Sequence, residues 1–112
     1  MSDLQESLRE KQSRFAYLAS LLILYAYARG YEVTLGHAWR CEACPVGRAN
    51  SNHKLKLAID LNLFRDGSYL NATEDHRELG EFWKSLAPDC RWGGDFSQPD
   101  GNHYSLEHYG VQ

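Results

Sequence analysis

Leu4, Leu8, Phe15, Leu18, Leu22 and Tyr25 recur at three- and four-residue steps, apart from a polar gap around Lys11. That spacing lines one face of a helix over residues 4–28. Ser2 or Asp3 can cap its start, and Arg29-Gly30 offers a basic last turn with a glycine stop. Tyr31-Glu32-Val33-Thr34-Leu35 alternates and is rich in strand formers, so a short strand is expected there. Residues 37–52 read as a loop, carrying cysteine, Pro45, Gly47 and asparagine. Residues 55–64 alternate apolar and polar almost without error, with Leu57, Ile59, Leu61 and Leu63 on one face of a half-buried strand. Arg65-Asp66-Gly67 is a turn signal, and Ser68-Tyr69-Leu70 is the expected return of a hairpin.

Thr73 or Asn71 can cap a second helix running to Ala87, with Leu79, Phe82, Trp83 and Leu86 as its apolar face and Pro88 ending it. The glycine-rich tail carries Tyr104, Leu106 and Tyr109, which predict one more strand. Helices flanking a small antiparallel sheet make the fold α+β, and the 112 residues fit a single domain, 1–112.

Composition narrows the function classes. A net charge of −3 supplies no concentrated basic face, which argues against nucleic acid as a partner. At 43% hydrophobic and 24% charged, the chain belongs with ordinary globular domains rather than disordered ones. Cys41, Cys44 and Cys90 make an odd count, which fits a reduced chain better than a disulfide framework. The Cys41–Cys44 pair has metal-binding or redox spacing, but two loop thiols or one local disulfide is the favoured reading. Residues 15–28 are the most apolar run and end on Ala26-Tyr27-Ala28. Asp3, Glu6 and Glu10 ahead of it, and Tyr17, Ser20, Tyr25 and Tyr27 within it, speak against a signal peptide, so cytoplasmic synthesis is expected. The run is also shorter than the ~20 apolar residues a membrane span needs.

Candidate chemistry lies in His53, Asp60, His103 and Asp100. An ionised Asp60 between Ile59 and Leu61 is costly unless it is paired, metal-bound or facing solvent, and the alternation permits the last of these. Two histidines and one carboxylate can form a three-ligand catalytic zinc site, leaving a position for water. Asp100, in the run Asp100-Gly101-Asn102-His103, could then serve as the base.

Ser51-Asn52-His53-Lys54-Leu55-Lys56-Leu57-Ala58-Ile59-Asp60-Leu61 resembles the S-x-H-x-x-G-x-A-x-D-[LI] motif of the M15 metallopeptidases, the D-Ala-D-Ala carboxypeptidase family. Trp92-Gly93-Gly94-Asp95-Phe96 with Asp100-Gly101-Asn102-His103-Tyr104 resembles that family's closing W-G-G-D-[WF]…D-x-x-H-[FY] motif. Trp39-Arg40 is similar to its upstream Y-R element. The resemblance runs in order through nearly the whole chain and implies a fold of the hedgehog/DD-peptidase type. It implies zinc (Zn2+) on His53, Asp60 and His103, with Asp100 as general base and acid. It implies that Arg40 steadies the oxyanion or a substrate carboxylate. The segment from Trp92 to Asp95 would shape the substrate cleft, as would Ser51.

The activity so implied is hydrolysis of peptidoglycan stem peptides, foremost at the L-alanyl-D-glutamate bond, by a phage or prophage endolysin. That enzyme would be a monomer, made in a host cytoplasm and acting on the cell wall. D-alanyl-D-alanine carboxypeptidase or dipeptidase activity and a non-catalytic zinc-binding module are the alternatives. Arg40, Arg48, Lys54 and Lys56 would give the site a basic rim suited to acidic stem peptides.

Three features depart from the family pattern. Lys56 replaces the motif glycine, so the backbone there is expected to avoid positive φ or to change geometry. Ser105 stands where relatives carry an acid, and the Cys41–Cys44 insertion has no counterpart. His37, His76 and His108 are expected to be ordinary surface histidines, His76 in a solvated helical turn.

Overall fold

A computed structural model describes residues 6–36 and 55–111. The first helix, α1 (Leu8–Ala28), starts later than the periodicity predicts. Ser7 Oγ accepts from the Glu10 amide at 3.1 Å, and Glu10 Oε1 accepts from the Ser7 amide at 2.9 Å. This reciprocal box satisfies two of the amides that every helix start leaves open. Ser2 and Asp3, the expected caps, lie outside the described residues. At the other end Tyr31 N donates to Ala26 O at 3.0 Å while Gly30 takes φ 90°, a glycine stop as predicted.

Phe15, Leu18, Leu22 and Ala26 form the buried stripe of α1. The polar gap has its own packing. Arg14 forks between Glu6 (2.9 Å) and Asp89 (2.7 Å), and Lys11 donates to the Glu107 carbonyl. Ion pairs thus hold the first half of the helix to the C-terminal part of the chain, and apolar contacts hold the second half.

After β1 (Glu32–Leu35), the central strand β2 (Ala58–Arg65) pairs antiparallel with β1. Its C-terminal end also pairs with β3 (Ser68–Leu70) across the predicted hairpin, whose Asp66 and Gly67 both have positive φ, 52° and 79°. That is the twist a two-residue hairpin prefers. A short 3-10 turn (Thr73–His76) leads into α2 (Arg77–Leu86). The turn explains why the helix proper begins four residues after the predicted Thr73 cap. Leu79 and Trp83 are buried, and Tyr25 of α1 stacks flat on Phe82 at 3.9 Å.

Two strands close the sheet, β4 (Cys90–Trp92) and β5 (His103–Leu106), in the order β1-β2-β5-β4. β4 was not foreseen, because three residues are too few to show a period. The predicted last strand is β5, but it stops short of Tyr109, which is 94% exposed. Both helices pack on the sheet, as α+β requires. Trp83 stands at their junction, edge-on to Phe15 at 5.8 Å and to Tyr104 at 6.2 Å, its indole donating to Ser105 O at 3.1 Å. No helix among the described residues is long and apolar enough to cross a membrane.

Lys56 corrects an expectation. It has φ 61°, so the backbone takes the left-handed conformation that a glycine would adopt more easily. A lysine pays about 1–2 kcal/mol for this region. The chain therefore turns through a left-handed residue just before the strand that carries Asp60.

Candidate metal and catalytic site

Asp60 and His103 are direct neighbours across the β2–β5 ladder. The pairing brings Asp60 Oδ1 to 3.4 Å from His103 Nδ1. The ladder continues past β5, since Leu61 N donates to Asn102 O at 2.9 Å. On its other edge Asp60 O accepts from Gly36 N at 2.8 Å, so the backbone around the aspartate is held from both sides. The strand alternation behaves as predicted. Leu61 and Leu63 are fully buried, while Asp60 faces the opposite side and is only partly exposed.

Asp100 reaches the same place through the tight loop between β4 and β5. Gly93 O accepts from the amides of Phe96 (3.1 Å) and Asp100 (2.9 Å), and Asp100 O accepts from His103 N at 3.1 Å. Trp92 anchors this loop from below, its indole donating to Gly101 O at 2.7 Å. The Trp92 ring lies against Gly80 of α2 and against Gly94. A Cβ at either glycine would come within 2.3 Å of the ring. Gly101 in turn lies against the Thr73 backbone, where a Cβ would be 2.6 Å from Thr73 Cα. These close approaches fix the loop to both α2 and the 3-10 turn.

One donor atom each from Asp60, Asp100 and His103 therefore lies within 4.8 Å of the others. Two carboxylates this close repel, and a cation between them and the imidazole removes the repulsion. Oxygen and imidazole donors together suit a borderline divalent ion such as zinc. The donor set fits a metal ion. Asp100 is exposed, Asp60 half-buried and His103 buried, so of the three Asp100 is the most open to solvent.

Of the sequence-derived candidates, the fold brings together Asp60, His103 and Asp100. His53, Arg40 and Ser51 lie outside the described residues, as do His37, Cys41 and Cys44. Trp92 is buried, and its indole supports the loop that carries Asp100. Asp95 pairs with Lys84 at 2.8 Å on the α2 side. Cys90 is buried, which pushes its thiol up to about 11 and keeps it from acting as a ready thiolate. His108 is partly buried beside Lys11.

His76 is the main correction to the sequence reading. It is 3% exposed, not solvated, and its Nδ1 lies 2.8 Å from the Tyr104 hydroxyl. The signal was present: His76, Leu79, Gly80 and Trp83 share one helical face, so the histidine belongs to the buried stripe. Burial pulls its pKa down from 6.5 to about 4. The unfolded chain then binds one more proton than the folded one between those values. Folding stability should fall as pH drops from 6.5 to 4, by about 2 kcal/mol for this group. Urea unfolding across that range, compared with His76→Phe, checks it: the variant should lose that part of the slope.

His76 also lines a cleft of about 190 Å³ with Tyr69, Asn71, Thr73, Asn102 and, at the metal side, Asp100.

A family model described as D-alanyl-D-alanine carboxypeptidase matches residues 46–106, more than half of the chain. Among solved structures, the Serratia marcescens L-Ala D-Glu endopeptidase ChiX has the same fold, with a TM-score of 0.68 at 17% identity. That match covers 91% of this chain and 84% of the other. No protein of curated function matches in sequence.

Proposed function

Since the chain belongs to the M15 D-alanyl-D-alanine carboxypeptidase family of peptidases, we propose that it is a zinc-dependent peptidase cutting peptidoglycan stem peptides at the L-alanyl-D-glutamate bond. The observation that carries this reading is the convergence of Asp60, Asp100 and His103 beside an open cleft. The likeness to an L-Ala D-Glu endopeptidase fold supports the choice of bond.

In this reading His53, Asp60 and His103 hold the zinc. When bound, the ion supplies Lewis acidity and lowers the pKa of water to about 7. Asp100 takes the water's proton and returns it to the leaving amine. The β2–β5 pairing holds Asp60 and His103 rigidly, and Arg40 steadies the carbonyl oxygen as it gains charge. A purely structural zinc site needs no exposed carboxylate beside its ligands, so the position of Asp100 favours an enzyme over a recognition module. The protein acts as a monomer on the cell wall, as a phage or prophage endolysin made in the host cytoplasm.

Removal of terminal D-alanine is the second reading, favoured by the description of the matching family model. Mass spectrometry of digested muropeptides separates the two. Glycan stems shortened to L-alanine are expected, and a chelator should abolish the cleavage until zinc is restored. Release of D-alanine alone would refute the endopeptidase assignment, and full activity after chelation would refute the metal.

A further inference from the structure

We propose that the cleft beside Asp100 is the specificity pocket of the peptidase, and that the Nε2–H of His76, its tautomer fixed by the Tyr104 phenol, donates to an oxygen of the substrate residue next to the scissile bond. The inference rests on the peptidase reading above and adds to it a residue that no metal or proton-transfer role requires.

The tautomer follows from who can donate to whom. Tyr104 is fully buried, and its hydroxyl lies 2.8 Å from His76 Nδ1. The Trp92 indole nearby donates its one N–H to Gly101 O at 2.7 Å and has no acceptor to offer the phenol. The phenolic proton is left with Nδ1 as its acceptor, so the imidazole proton sits on Nε2. Burial favours the neutral imidazole of His76, which keeps one ring nitrogen free to accept from the phenol.

His76 is 3% exposed, yet it forms part of the cleft lining, and Nε2 has no hydrogen-bond partner among the described residues. The Nε2–H opens on the cleft rather than into the core, so it can donate to an oxygen that enters there. The surrounding lining consists of neutral polar groups, the side chains of Asn71, Thr73 and Asn102. Asp100 is the only charged lining residue described, and it stands at the metal side. The volume of about 190 Å³ has room for a short polar side chain. The chemistry points to a carbonyl or carboxylate oxygen on that side chain or its flanking peptide. Tyr104 is a positioning residue, since it acts only through His76.

The test uses the full chain and two probes, a stem tripeptide with a free glutamate carboxylate and its amidated form. Nitrogen-15 spectra should show a single Nε2–H tautomer at His76. Its Nε2 resonance should shift when either peptide is added to the zinc-free, non-cleaving protein. In the zinc-loaded protein, His76→Phe should lower kcat/KM about tenfold, mainly through KM, the size of one lost neutral hydrogen bond. Tyr104→Phe should raise KM about threefold and mix the tautomers, since it removes only the group that selects one. A KM effect confined to the free acid assigns the carboxylate, and an equal effect on both peptides assigns a carbonyl. An Nδ1–H tautomer, no shift with peptide, or an unchanged KM in folded His76→Phe overturns the proposal. If the wild type cleaves neither peptide, the peptidase reading fails by itself, and the tautomer and peptide shift still decide the role of His76.

Discussion

Asp100→Asn is expected to abolish stem-peptide hydrolysis while leaving zinc in place. Asparagine keeps the size and one carbonyl oxygen of the aspartate but cannot take up a proton, so the loss isolates the transfer step. General acid–base catalysis contributes about 10²–10⁴-fold, and kcat/KM should fall by that much. The loop should survive the change, because it is held by backbone contacts from Asp100 N to Gly93 O and from His103 N to Asp100 O. Metal analysis beside the kinetics makes the result decisive. An inactive, zinc-replete variant supports Asp100 as the base. An inactive variant stripped of zinc would make it a ligand instead, which the 4.8 Å cluster also permits. An active, zinc-replete variant would sink the mechanism.

The parts of this site that could be read from the sequence are those with a period or a motif. The strict alternation of residues 55–64 placed Asp60 opposite the buried leucines, and the structure agrees. The D-x-x-H spacing put Asp100 and His103 together through one turn. What stayed hidden was set by contacts distant in sequence. Ser7 won the helix cap because Glu10 stands three residues on, whereas the apolar period alone pointed to an earlier start. Three residues of β4 carry no pattern, and only pairing with β5 makes them a strand. His76 reads as a polar residue between the charges of Asp75 and Arg77, and its partner Tyr104 lies 28 positions on. Lys56 shows the reverse case, in which a lysine holds a positive φ that its residue type does not predict.

Gly93→Ala should damage activity, metal affinity and stability together. A Cβ at Gly93 would lie 2.0 Å from Asp100 O, 2.9 Å from His103 Cβ and 3.0 Å from Asp100 C. Two of these atoms are backbone and the third is a Cβ, so no flexible side-chain end can swing aside. The Asp100–His103 loop must move by roughly 1 Å, and a displacement of that size at reacting groups costs about 10²-fold. Overpacking should remove about 1–3 kcal/mol of stability as well. Calorimetric zinc titration, kinetics and denaturant unfolding read the three effects separately. Gly67→Ala is the control: its φ of 79° strains any side chain, but nothing lies within 4 Å, so it should cost stability alone. If Gly93→Ala kept near-parental kcat/KM, the geometry of Asp100 would not depend on this contact. The expected loss would instead explain the glycine by the space its hydrogen leaves: the Asp100 carbonyl occupies the place of a side chain, and the Asp100 carboxylate follows its backbone.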